Sequence, residues 1–170
     1  MITAWGSGFE GDWQPAYGPW VEALGICVQA IDAEQLQRTL GPCGLPVAQL
    51  VPQLRGTRPK TPDSPILKRD DQRLRLFDAV VQFLMALAEE VPVLLVIDDL
   101  QWADRDSLLL LRHLARFLVH SRLLVVAAYR EPELALNDQA PFIDLLPILE
   151  REIDFRHLAI HGFSRGEVAE

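Results

Sequence analysis

One run of side chains constrains this sequence more than any other: VPVLLVI, residues 91–97, followed at once by Asp98 and Asp99. Consecutive branched apolar residues leave no polar face, so the run predicts a central strand buried on both sides. A second such run, LLVVAA from Leu123 to Ala128, stops at Tyr129 and Arg130. Between the two, Asp104 is placed to cap a helix that carries Leu108, Leu111, Ala115 and Leu118 on one side. Ahead of the first run, Phe77, Val80, Leu84 and Leu87 fall at helical spacing, and that helix should end before Pro92. Strands alternating with helices predict an α/β fold, a parallel sheet with helices on both faces in three layers. Right-handed crossovers bring successive strand ends to one edge, where ligands of such sheets bind. Asp98, Asp99 and Arg130 should therefore face one crevice.

The remaining segments are read the same way. MITAW predicts a strand that runs into the loop GSGFEG, and a helix is expected from Pro19 through Trp20, Val21, Leu24, Val28 and Ile31. Short helices are expected over Glu34 to Leu40 and Val47 to Leu54, then an exposed loop at RGTRPKTPDSP. Pro141 to Glu150 predicts a helix, and FRHLAI alternates as a weaker strand. SRGEVAE resembles a helix start, with Ser164 as cap and Glu167 completing a capping box.

The length of 170 residues corresponds to one domain at about 150 residues each. Sixteen basic against 24 acidic residues give a net charge of −8, the wrong sign for holding a polyphosphate backbone nonspecifically. No segment has the pattern of a DNA-reading helix. Cys27 and Cys43 make no disulfide framework and are expected as buried thiols in a reducing compartment. The four histidines have no zinc spacing with them. No signal peptide starts at Met1, and the apolar stretch near residue 81 is cut by Glu89, Glu90 and Pro92. A soluble, cytoplasmic protein without membrane contact is the expectation.

Paired acids at the end of a rigid strand have a use. Asp98 could hold hydrated Mg²⁺, Asp99 could orient or deprotonate an attacking water, and Arg130 could contact a transferring phosphoryl group. Two plainer readings stay open at this point. The acids could simply begin a loop and cap the next turn, and Arg130 could be a surface ion-pair partner.

The words around these residues narrow the choice. VLLVIDDLQWADRDSLLLLRHLAR and LLVVAAYREPEL resemble the ATPase core of AAA-like and STAND regulators, the origin-recognition-like AAA group. Relatives include large LuxR-type (MalT-like) transcriptional activators and ATPase modules attached to adenylate cyclases. The resemblance makes the DD strand a Walker B element and YREPEL the end of the sensor strand. PAYGPWVEAL resembles the helix after the family's second strand, and HLAIHGFSRGEVAE the passage into its helical lid. By resemblance, the fold is the P-loop NTPase (ASCE/AAA) type, with ATP and Mg²⁺ as cofactors. Asp98 is then the Mg²⁺ acid, Asp99 the water-activating acid and Arg130 the sensor near the γ-phosphate. Trp102 and Asp104 shape the loop, with Trp102 expected in the core.

One departure is large. The family cradles phosphates with G-x-x-x-x-G-K-[ST], and no such motif occurs in these 170 residues. GSGFEG lacks the lysine, and RGTRPKTP has Lys60 and Thr61 without the glycine. The family's sheet order, 5-1-4-3-2, suggests a chain that starts at the second strand. Residues 1–160 would then be a partial core, incomplete at both ends, and residues 161–170 the start of the lid. The strand near residue 156 would lack its neighbour, leaving the chain marginal or aggregation-prone. The expectation is an incomplete ATPase module of a signalling or transcriptional regulator. Alone it would bind ATP weakly or not at all; hydrolysis would belong to a longer parent. Its expected partners are ATP, further domains of that parent or a second copy. The alternative is a non-catalytic protein-interaction module on the same fold. A phosphorylated receiver domain is disfavoured, since no lysine follows Lys68.

Overall fold

In the computed structural model, residues 1–11, 15–54, 69–131, 141–152, 155–160 and 162 are described. Strand β1 spans Ile2–Ser7, and Pro19 lies in the first turn of helix α1, Gly18–Gln29. Asp32 caps α2, Ala33–Leu40, by accepting the Gln35 N–H at 2.8 Å. Helix α3 covers Gly44–Leu50, and a separate 3-10 turn forms at Pro52–Leu54. The single helix expected from Val47 to Leu54 is therefore interrupted, because Val51 is extended ahead of a proline. Helix α4, Arg69–Glu90, begins earlier than its apolar spacing suggests. Phe77, Val80, Leu84 and Leu87 form its buried stripe, as expected.

The continuous apolar run forms β2, Val93–Asp98. A 3-10 turn at Leu100–Trp102 leads into α5, Arg105–Ala115. Strand β3 is Leu123–Ala127, and α6 is Pro141–Glu152. The sheet is parallel, in the order β1-β2-β3, with Ser7 opposite Asp98 and Val93 opposite Leu123. One face of it, with Ile2, Ala4, Leu95, Ile97 and Leu123, joins a single core with Trp20, Leu24, Phe83, Leu84, Leu110 and Leu114.

The other face corrects the expectation of three layers. Trp5, Val96 and Val126 share one register row, and Thr3, Leu94 and Leu124 another. Trp5 is 49%, Leu124 62% and Val126 43% exposed. Among the described residues the fold is thus two layers. Its topology explains this: β1 to β2 to β3 moves one way across the sheet. Two right-handed crossovers in the same direction put their helices on the same face.

A second correction concerns Phe155–Ile160, which forms no strand. Leu158 and Ile160 are 78% and 92% exposed. Alternation selects a strand only where an edge pairs with it and a face buries it. The segment is instead attached through His157, whose ring stacks on Tyr129 and whose Nε2 lies 3.0 Å from the Tyr129 hydroxyl. The loop at RGTRPKTPDSP and the helix start at Ser164 both lie outside the described residues. Cys27 and Cys43 are free and buried, and burial pushes the Cys27 thiol up to about 12.

Candidate functional site

The carboxyl edge of the sheet gathers the expected residues. Asp98 ends β2, and its carbonyl accepts the Gly8 N–H at 2.9 Å, joining the ends of β1 and β2. Its carboxylate Oδ1 accepts the Asp99 N–H at 2.8 Å, which fixes its orientation. Asp99 adopts left-handed φ 50°, ψ 46°, a conformation that aspartate tolerates better than most residues. Its carbonyl accepts the Trp102 N–H and starts the 3-10 turn.

Arg130 lies three residues beyond β3. Its Nη2 is 3.3 Å from Asp99 Oδ1, with side chains 63% and 26% exposed. Backbone bonds tie the two strand ends together: Ala128 N–H donates to Ile97 O, and Leu100 N–H to Ala128 O. Asp98, Asp99 and Arg130 therefore lie beside one another at the carboxyl edge of the sheet.

Gln101 is the residue that sequence reasoning missed. It is 3% exposed, donates from Nε2 to Asp99 Oδ1 at 2.9 Å and accepts the Arg130 N–H on Oε1 at 3.2 Å. A glutamine inside a polar loop word gives no sequence signal of burial, so only the fold reveals it.

Asp104 is an architectural residue. Its carboxylate accepts the N–H groups of Asp106, Ser107 and Tyr17 and the Ser107 hydroxyl. It thereby caps α5 and holds Tyr17, which sits at φ 60° immediately before α1. Trp20 closes the same junction, donating its buried Nε1–H to Ser107 O at 3.0 Å. Trp102 is only half-buried rather than in the core. Desolvation, then the charges of Asp106 and Asp104, raise the Tyr17 phenol to about 12.

GSGFEG has a structural use instead of a phosphate-binding one. A Cβ on Gly6 would collide with the Pro19 backbone, and one on Gly8 with the Asp99 carbonyl. The Ser7 N–H donates to Glu22 Oε2 at 3.0 Å, and the Gly8 N–H is taken by Asp98 O. Those donors are committed, and a carboxylate already stands where an anion would sit. RGTRPKTP falls outside the described residues.

Asp98 fits Mg²⁺ as one oxygen ligand, because that ion keeps waters and takes further ligands from phosphates. No group of three His, Cys, Asp or Glu forms a metal cage among the described residues. A groove lined by Cys43, Arg75, Asp78 and Gln82 contains none of the strand-end residues. No helix among the described residues is long and apolar enough to cross a membrane.

A family model described as an AAA ATPase domain matches residues 2–126. No curated protein and no solved structure matches the chain.

Proposed function

The chain belongs to the AAA ATPase domain family, and from that premise we propose that it carries the acid and sensor half of an ATP site in a signalling or transcriptional regulator acting in the cytoplasm. The observation that carries this reading is the convergence of Asp98, Asp99 and Arg130 at the ends of two adjacent parallel strands. In the proposed assignment, Asp98 is the Mg²⁺ ligand, Asp99 orients the attacking water and Arg130 contacts the γ-phosphate. Mg²⁺ bound with ATP would neutralise phosphate charge as it builds. The rigid strand holds Asp98, and the left-handed turn projects Asp99 beyond it.

The phosphate-cradling motif G-x-x-x-x-G-K-[ST] does not occur in these 170 residues. The open sheet face and the edge of β3 support a particular way of supplying it. A strand paired outside β3 and followed by a helix crossing back over Trp5, Val96 and Val126 would enter β1 by a right-handed connection. Its strand–helix loop would emerge at the carboxyl edge beside Arg130. All-parallel sheets are covered on both faces, and this unit would cover the second. We assign the 170-residue chain weak or no ATP binding by itself.

The test is calorimetry with MgATP on the 170-residue chain and on a longer chain that includes the sequence encoded in frame before Met1. The longer chain is expected to carry G-x-x-x-x-G-K-[ST], bind MgATP, and lose hydrolysis in Asp98→Asn and in Asp99→Asn. An in-frame stop with no such motif would abandon ATP chemistry in favour of a non-catalytic interaction module. Normal hydrolysis in Asp98→Asn would remove the Mg²⁺ assignment.

A further inference from the structure

We propose that Gln101 is the positioning residue of this site, its buried amide holding the Asp99 carboxylate with one end and the Arg130 backbone with the other. The inference rests on the ATP-site reading for its catalytic consequence, while its geometry stands independently.

A glutamine at 3% exposure has given up its water, and burial of an amide is tolerated only when both of its ends are satisfied. Here the NH₂ donates to Asp99 Oδ1 at 2.9 Å, and the carbonyl oxygen accepts the Arg130 N–H at 3.2 Å. The orientation is determined by chemistry. A reversed amide would set oxygen against carboxylate and NH₂ against N–H, losing both bonds. Gln101 therefore spans two elements distant in sequence, the turn after β2 and the chain after β3.

The neighbouring ion pair does a different job. Arg130 Nη2 reaches the same Asp99 oxygen at 3.3 Å, but the guanidinium is mostly exposed, and an exposed pair is weak. An anionic phosphoryl group can draw that side chain away. When it does, Gln101 still holds Asp99 Oδ1 and the Arg130 backbone. The arginine head can thus swing from a fixed base, and the acid keeps its place without it.

The test is amide hydrogen exchange, followed by NMR, on the full 170-residue chain with Gln101→Met, which keeps length and volume but removes both bonds. The Arg130 amide is expected to exchange at least about tenfold faster. The Leu100 and Ala128 amides, bonded to backbone oxygens, should keep their rates. No change at Arg130, or an equal rise at all three amides, would overturn the proposal, the second result marking Gln101 as a space filler. Gln101→Glu covers the case in which the methionine variant fails to fold. It keeps an acceptor for the Arg130 N–H but sets a carboxylate against Asp99, so the Arg130 amide should stay protected. Loss of that protection in a folded Gln101→Glu chain would count against the proposal.

In the longer, ATP-hydrolysing chain, Gln101→Met is expected to lower kcat about tenfold or more, with KM for MgATP unchanged. Unchanged kcat would overturn the catalytic role. A longer chain that binds no MgATP would instead overturn the ATP-site reading and leave the exchange result standing.

Discussion

Asp104 shows how much one carboxylate can organise. It satisfies two orphan N–H groups at the start of α5 and, 87 residues away in sequence, the N–H of Tyr17. Removing it takes away an N-cap, a loss of about 1 kcal/mol, and strands a half-buried donor at a strained left-handed tyrosine, which adds about 1 kcal/mol or more. Asp104→Ala is expected to destabilise the chain by about 2 kcal/mol, read as a lower urea midpoint at constant m; Asp104→Asn should recover much of it. A loss below about 0.5 kcal/mol would mean that water replaces the carboxylate at both helix starts. Titration supplies a second expectation. Cys27 is raised from 9.0 to about 12 and Tyr17 from 10.0 to about 12. Both keep their protons in the folded state at a pH where the unfolded chain has released them. Their contribution is complete below pH 9, and stability falls as pH rises from 9 towards 12. Alkaline urea titrations should show this decline, and Cys27→Ala should flatten it by up to about 1.4 kcal/mol per pH unit. An identical slope in that variant would show that Cys27 is not the group titrating.

At the scale of elements, β3 differs from β2. Both are apolar runs, and both were legible as strands, because short runs rich in branched residues between turn signals suit a buried strand better than a helix. Their environments were not legible. Val96 is 8% exposed, yet Val126 in the same register row is 43% exposed, since a run of valines does not state how many neighbours it will meet. An apolar edge strand with an open face is a template for association. Val126→Lys is expected to reduce concentration-dependent self-association in light scattering while changing unfolding stability by less than about 0.5 kcal/mol. A large stability loss would mean that Val126 is packed in the folded monomer. The same contrast explains FRHLAI: its alternation was legible, but no partner edge receives it. The strand-end residues were legible for the opposite reason. Asp98, Asp99 and Arg130 are marked by their places at the ends of strands, so topology alone brings them together. Gln101 carries no such mark, and its role depends on the exact path of the 3-10 turn.

For the whole molecule, the decisive fact is that β1 and β2 pair across about ninety residues of sequence (Ile2 with Val93). Helices α1 to α4 lie between these two strands in sequence and share one core with them. The single core joining all three strands to α1, α4 and α5 implies one cooperative unit rather than independent pieces. Within it, protection should be graded by topology. Strand β2 is bonded on both sides, whereas β3 is bonded to β2 alone among the described residues. The β2 amides should exchange only through global unfolding, at a free energy matching that from urea. The outward-facing amides of β3 should exchange much faster, through local opening that leaves the core intact. Native-state hydrogen exchange at low protein concentration reads both classes together. If the outward β3 amides prove as slow as those of β2, a further strand already covers that edge. Repeating the measurement across a dilution series then identifies its source: protection that falls on dilution belongs to a second copy of the chain, and protection that persists belongs to the chain itself.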